Sequence, residues 1–310
     1  MIEVNKVYHK DWMQNELPDK SVQLIIADPP YFETKGDFDF IWKSFDDYLI
    51  DVEKWAVECK RLLAENGTLF WFGGSKRIAY TQVIFDKYFG LVNNLVWEKA
   101  EADGLFGSTG SEQLRSFPNS TERVLMYGLE TPQTFISIRQ YLWDEYKKTG
   151  LSMEQVNKLI GTTSKGGGGM AYNTLSITRT NWDMPKEYIY TALQKTGYFK
   201  KAYNELKKEY EELRRPFENF MKSTEILKVR FKPSEYDHDT VKPEKLARLL
   251  IKTCSRKNDL VLIPFAGSGT EVAMSVKEGR RAIGFEITER HVEMSNRRVQ
   301  DILKKPELFG

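Results

Sequence analysis

Cysteine and histidine are scarce in this 310-residue chain: two of the first, Cys59 and Cys254, and three of the second. Two cysteines cannot frame a disulfide-stapled fold, and so few ligand-type residues argue against zinc, so no metal site is expected. No apolar run approaches the length of a membrane span, and Met1-Ile2-Glu3-Val4 lacks the design of a signal peptide. These absences point to a cytoplasmic protein with no membrane partner. What is present, 29% charged and 41% hydrophobic residues, is the balance of a soluble globular chain long enough for a real core.

Net charge is also small, at +2, but it is unevenly spread. Between Thr131 and Tyr236 there are 18 Lys and Arg against 12 Asp and Glu, while the remainder carries 28 against 32. A basic middle inside an acidic frame suggests an inserted module that meets a polyanion, although a solvated charged helix explains part of the same count.

Hydrophobic periodicity divides the chain along the same line. Val4 and Val7 mark a short strand in Glu3–Tyr8, and Val22–Ala27 is an apolar, largely β-branched strand. Asp46–Leu63 carries apolar residues at helical spacing, with Asn66-Gly67 as its stop. Strands at Thr68–Phe72, Asn93–Trp97 and Arg123–Tyr127 follow, with a helix around Ile78–Tyr88. Strands alternating with helices predict a mostly parallel α/β sheet.

The alternation then stops. From Thr131 to about Lys232 short helices are expected at Arg139–Lys148, after the capping Ser152, and at Tyr188–Lys195, a series similar to a helix-turn-helix arrangement. Gly166–Gly169 is a tetraglycine loop, and Phe199, Tyr203, Leu206, Tyr210, Leu213 and Phe217 form a heptad stripe suited to packing on a neighbouring domain. Alternation resumes with a helix at Pro243–Thr253, a strand at Leu260–Ile263, a helix at Glu271–Glu278, a strand at Arg281–Phe285 and a last helix at Arg290–Leu303.

Two places carry chemistry. The first is Asp28-Pro29-Pro30-Tyr31, where the strand Val22–Ala27 stops at an acid, two prolines and an aromatic. Prolines have no N–H for a sheet ladder and hold the preceding residue extended. The result is a stiff corner at the strand's C-terminal end, the edge where ligands bind in open α/β sheets. Ordinary turns also use this tetrapeptide, so the corner alone decides nothing.

The second is Pro264-Phe265-Ala266-Gly267-Ser268-Gly269-Thr270, between a strand and a helix, with Glu286 at the tip of the next strand. Gly267 and Gly269 permit a sharp turn and a close backbone approach, and an acid at Glu286 accepts hydrogen bonds from ribose hydroxyls. The turn lacks the third glycine of a dinucleotide fingerprint and the Gly-Lys-Ser/Thr of a P-loop. A nucleoside cofactor is the expected ligand.

Taken together, and in this order, the two motifs resemble the permuted β class of S-adenosylmethionine-dependent DNA amino-methyltransferases, D-P-P-Y type. The likeness covers about Met1–Tyr127 and Asp237–Val299, and the insert resembles regions of phage and prophage methylases. It implies a mixed, mostly parallel seven-stranded Rossmann-like sheet flanked by helices, with one antiparallel closing strand and an inserted, mainly helical target-recognition domain. The methyltransferase domain would span residues 1–130 and 237–310, and the insert residues 131–236.

The resemblance also assigns residues. Asp28, Pro29, Pro30 and Tyr31 would form the catalytic corner. Phe265, Gly267, Ser268, Gly269 and Thr270 would line S-adenosyl-L-methionine, Glu286 would hold its ribose, and Asp11 would contact its adenine. His238, Lys242 and Pro243, within His-Asp-Thr-Val-Lys-Pro, would close its methionine side with Asp28 nearby. The acid common in the family before Pro-Phe-x-Gly-Ser-Gly is Ile263 here, and Trp97, at the position of a motif beside the target base, would be an extra wall there, with ordinary core packing the stronger reading. Double-stranded DNA is the implied partner, with Arg139, Lys165, Arg179, Arg214 and Arg215 as candidate contacts. A homodimer and a cognate restriction endonuclease are left open.

The implied reaction is methyl transfer to N6 of a flipped-out adenine. N4-cytosine methylation uses the same amino-nitrogen chemistry and stays open, as do RNA methylation and, from a different class, a catalytically silent DNA-binding protein.

Overall fold

In the computed structural model, residues 2–32, 41–99, 117, 119–129, 132–162, 169–178, 182–230 and 242–304 are described. The chain divides into two compact units, Met1–Leu129 with Pro216–Gly310, and Glu130–Arg215.

The first unit is built on one sheet. Its strands are β1 (Lys6–His9), β2 (Val22–Ala27), β3 (Leu63–Gly74), β4 (Gly90–Glu98), β5 (Thr121–Gly128), β6 (Ile226–Lys228), β7 (Leu260–Ile263) and β8 (Arg281–Glu286). They lie in the order β1-β8-β7-β2-β3-β5-β4-β6. β5 runs antiparallel to both of its neighbours, and every other pairing is parallel. The sheet therefore has eight strands among the described residues, where seven are expected from the resemblance. β6 adds along the edge of β4, pairing Val96 with Ile226 and Glu98 with Lys228, and it comes from residues that the sequence reading places in the insert.

Period-2 alternation sorts the strand side chains into two cores. Leu24, Ile26, Phe70, Phe72, Trp97, Val124 and Met126 face one layer, with Leu246, Leu250 and Cys254 of α8 (Glu244–Cys254), Val272 and Val276 of α9 (Thr270–Lys277) and Val299 of α10 (Glu289–Leu303). Ile25, Ala27, Leu69, Trp71, Leu125 and Tyr127 face the other, with Val52, Trp55 and Cys59 of α1 (Phe45–Leu62) and Ile84 and Phe85 of α2 (Ile78–Phe85). Helices thus cover both faces, and the two cysteines are buried free thiols in different cores. Among the described residues no helix is long and apolar enough to cross a membrane.

The second unit is helical: α3 (Ile136–Thr149), α4 (Met153–Leu159), α5 (Met170–Leu175), α6 (Glu187–Gln194) and α7 (Tyr203–Leu213). Ser152 opens α4 with a reciprocal capping box, its side chain accepting from the Gln155 amide while Gln155 accepts from the Ser152 amide. Ile138, Leu142, Val156, Tyr190, Leu193 and Leu206 form its core. The heptad stripe shrinks to α7, because the helix starts after Ala202 and the chain turns extended at Arg214. Gly166–Gly168 of the tetraglycine loop lies outside the described residues.

Candidate active site

β2 is paired on both edges, with β3 and β7, and its two faces are buried in the two helix-covered cores, so its C-terminal end is a fixed point. Asp28 follows Ala27 directly. Its Oδ1 accepts a hydrogen bond from the Tyr31 hydroxyl at 2.7 Å, and its Oδ2 meets Lys242 Nζ at 2.7 Å. Gly74, at the end of β3, leaves room beside the corner: a Cβ built there would lie 3.9 Å from the Tyr31 ring. The Arg77 guanidinium stacks 4.5 Å over the Phe32 ring and donates to the Phe32 carbonyl at 2.6 Å.

Lys242 is nearly sequestered, its side chain 8% exposed. Its ammonium also reaches Glu122 Oε2 at 3.1 Å and lies over the rings of Phe72 (5.0 Å) and Trp97 (5.5 Å). Burial by itself lowers an ammonium's pKa, but Asp28 and Glu122 reverse this and hold Lys242 well above the usual range. Glu122 is pushed up by burial and, more strongly in sum, down by Lys242 and Lys99, ending below the usual carboxylate value. Burial, then Asp28 and Glu122, push the Tyr31 phenol well above its ordinary value, so it serves as a hydroxyl donor.

The glycine turn stands beside this corner. β7 pairs with β2 through Leu24↔Val261 and Ile25↔Leu262, so the parallel strands end on the same edge. Gly267 and Gly269 have φ values of 47° and 74°, a region favouring glycine. The Gly267 amide donates to Glu286 Oε2 at 2.9 Å, and the Thr288 amide to Glu286 Oε1 at 2.8 Å. Arg298 donates to the Ser268 carbonyl (2.8 Å) and to Thr270 Oγ1 (3.1 Å), and Ser295 Oγ to the Gly267 carbonyl (3.0 Å). Phe265 is wedged among Trp12, Trp55 and Trp71, at centroid distances of 5.9, 5.2 and 6.3 Å.

Asp11 follows β1, which pairs with β8 so that His9 stands opposite Glu286. It caps the 3-10 turn Trp12–Gln14, accepting from the Met13 amide at 2.9 Å. Strand order therefore brings Asp11, Glu286, the glycine turn and Asp28 to one edge, on the successive strands β1, β8, β7 and β2. Two acids flanking a left-handed glycine turn suit a ligand with ribose hydroxyls and an adenine amino group, since each carboxylate oxygen has two acceptor lone pairs.

The other expected residues divide. Pro243 is the residue before α8 and Lys242 lies against Asp28 and Glu122, whereas His238 falls outside the described residues. Trp97 is core, its indole N–H donating to the Val229 carbonyl at 2.7 Å. Arg139 is not placed for DNA: it is 3% exposed and donates to the carbonyls of Ser176 and Ile177. Arg214 pairs with Glu211 at 2.6 Å, Arg215 is partly buried, and Lys165 and Arg179 lie outside the described residues.

Three site residues escaped the sequence reading: Glu122, Lys99 and Glu271. Glu122 had a visible signal, because alternation in Thr121–Gly128 places it on the same apolar face as Val124 and Met126. Glu271 is an acid in a helix that is buried on all sides, and is 8% exposed. Burial first, then Asp28, raises its pKa from 4.5 to about 6. A carboxyl bound more tightly to its proton in the folded state stabilises the fold fully below pH 4.5 and loses that contribution as pH rises through about 6, about 2 kcal/mol in all. Glu271→Gln should remove this dependence. In thermal melts the variant gains on the wild type between pH 4.5 and 7.5; a constant difference over that range would contradict the assignment.

A sequence model described as DNA methylase matches residues 22–297, from the first residue of β2 into α10. The chain belongs to this family. The DNA adenine methyltransferase YhdJ of Escherichia coli K12 is 25% identical over 305 residues, covering 96% of this chain and 83% of that protein. The type II methyltransferase M1.MboII of Moraxella bovis is 26% identical, covering 96% of each. Among solved structures, a DNA modification methylase of Thermus thermophilus complexed with S-adenosyl-L-methionine aligns with a TM-score of 0.54 at 20% identity, covering 96% of this chain and 95% of that one, and so shares the fold.

Proposed function

We propose that this DNA methylase transfers a methyl group from S-adenosyl-L-methionine to N6 of an adenine flipped out of double-stranded DNA, with Asp28-Pro29-Pro30-Tyr31 as its catalytic corner. The adjacency of β2 and β7 carries the reading, because it sets the acid corner beside the glycine turn on one sheet edge. The order of the two motifs along the chain supports the permuted β class.

When bound, the cofactor supplies an electrophilic methyl on a sulfonium. Gly267, Ser268, Gly269 and Thr270 form the backbone cradle for it, with Glu286 for the ribose and Asp11 for the adenine. Asp28 and the Pro29 carbonyl accept the two N–H bonds of the target amino group. This favours a pyramidal nitrogen whose lone pair points along the transfer axis, so catalysis consists of orientation and fixed electrostatics. Asp28 need not be a strong base, because the amino proton becomes acidic only once nitrogen carries the methyl.

Tyr31 stacks on the flipped base. Base–aromatic stacking is worth about 1–3 kcal/mol, comparable with the few kcal/mol needed to extrude a base. Tyr31→Ala is expected to lower kcat/KM about 10–100-fold and to weaken the 2-aminopurine signal of the flipped state. Tyr31→Phe keeps the ring and should keep that signal. An unchanged rate and signal in the alanine variant would remove Tyr31 from the base site.

The helical unit supplies the DNA contacts. Among the described residues its exposed cations are Lys147, Lys148, Lys158, Lys186, Lys195, Lys200, Lys207 and Lys208, suited to phosphate. The deciding experiment incubates the protein with labelled cofactor and DNA, then sequences single molecules of the product. Methyl groups on adenine N6 at a fixed motif support the reading; label on cytosine N4 replaces the base assignment, and no label on DNA overturns it.

A further inference from the structure

Both oxygens of the Asp28 carboxylate are engaged before any base arrives, one by Tyr31 and one by Lys242. The second engagement is not a surface ion pair. Lys242 comes from the segment entering α8 and is roofed over the sheet face that carries Phe72, Trp97 and Glu122. Strand register assembles that face: Glu122 of β5 stands opposite Gly74 of β3 on one side and Trp97 of β4 on the other. Behind it, Lys99 holds the second Glu122 oxygen at 2.9 Å. The chain of charges runs Asp28, Lys242, Glu122, Lys99, with both carboxylates divided between two partners.

A buried lysine with one acidic partner on a flexible four-carbon stem could take several rotamers. Two carboxylates at 2.7 and 3.1 Å, with two ring faces beneath, leave it one position. We propose that Glu122 is a positioning residue for methyl transfer, acting through Lys242 to fix the Asp28 carboxylate in the orientation that receives the target amino group.

The inference rests on Asp28 receiving that amino group, as proposed above. It gives Lys242 a place on the acceptor side of the reaction, and it brings in β5, a strand with no cofactor motif. Among the described residues, Glu271, buried and electrostatically coupled to Asp28 and Lys242, is a further acid facing this cluster, with Tyr31 and, next to it, Tyr48 as hydroxyls. The excess of carboxylates explains why Lys242 stays charged although it is buried.

The test separates a relay from general structural damage. Misplacing a reacting group by about 1 Å costs up to about 100-fold in rate. Glu122→Gln keeps the shape and should lower kcat about 10-fold, while Lys242→Met should lower it about 100-fold. Affinity for S-adenosyl-L-methionine, titrated calorimetrically on each full-length variant, should stay within about twofold in Glu122→Gln. The double variant should be no slower than Lys242→Met alone, because Glu122 acts only through that ammonium.

Losses that multiply in the double variant overturn the relay, as does a parallel loss of cofactor affinity in Glu122→Gln. A wild type that methylates DNA while Glu122→Gln keeps kcat within about twofold overturns the relay alone. A wild type that transfers no methyl to DNA overturns the parent reading and the relay together.

Discussion

Asp28→Ala should abolish methyl transfer to DNA, with turnover falling about 1,000-fold or more, while the affinity for S-adenosyl-L-methionine stays close to that of the wild type. The rate loss follows from the corner's geometry. In the proposed reaction the carboxylate is the acceptor, aimed from the end of a strand paired on both edges. Cofactor affinity survives because Glu286 and the glycine turn are held by their own hydrogen bonds to Thr288, Ser295 and Arg298. Some stability is lost as well, because the buried Lys242 ammonium keeps only Glu122 as its anionic partner. Removing one member of a buried pair costs about 3–5 kcal/mol when nothing compensates, and here Glu122 compensates in part. Asp28→Asn, which preserves shape and the Tyr31 hydrogen bond but also takes the anion from Lys242, should lose a similar part of the stability and still fail to turn over. Near-normal turnover in both variants would remove Asp28 from the reaction.

The parts of this site that were legible in the sequence are those determined locally. A β-branched run ending in Asp-Pro-Pro has few conformations open to it, and a glycine pair between strand and helix forces a turn whatever surrounds it. The relay was not legible, because Lys99, Glu122 and Lys242 meet only through the register of β5 with β4 and the crossing of the segment before α8. β6 was missed for a similar reason: Ile226-Leu227-Lys228 is too short to show alternation, and its strand character comes from pairing with Val96–Glu98.

Residue type misled in two places. Arg139 reads as a surface cation, yet its guanidinium satisfies two backbone carbonyls inside the helical unit and lies 6.0 Å over the Trp182 ring. Phe217 continues the heptad spacing, but the helix has already ended at Leu213, and Phe217 lines a cavity of about 190 Å³ with Leu249 and Cys254 in the sheet-containing unit. Periodicity carries no information about where a helix stops; the extended conformation at Arg214 and the proline at position 216 do.

Gly269→Ala should lose cofactor binding and much of the fold's margin together, and Gly150→Ala supplies the control. Both glycines are left-handed, with φ of 74° and 64°, so each alanine variant carries a backbone strain of about 1–2 kcal/mol. They differ in their surroundings. Nothing lies within 4 Å of a Cβ built on Gly150, which ends α3. A Cβ on Gly269 would meet Ser295 Oγ at 2.5 Å, Ser295 Cβ at 2.6 Å and Ser295 Cα at 2.9 Å. Ser295 cannot yield by rotation alone, because its backbone atom is also too close and its residue is fully buried in α10. The helix or the turn must shift, adding about 1–3 kcal/mol of overpacking. Moving the turn breaks the Ser295 hydrogen bond to Gly267 and pulls the Gly267 amide from Glu286, the contacts that shape the cradle. Gly150→Ala is therefore expected to lower the melting temperature slightly and leave S-adenosyl-L-methionine titrations unchanged, whereas Gly269→Ala should melt well below it and bind the cofactor at least about 30-fold more weakly, a loss of about 2 kcal/mol. Equal behaviour of the two variants would mean that backbone strain alone accounts for the glycine at position 269 and that close packing of α10 against the turn does not shape the cofactor site.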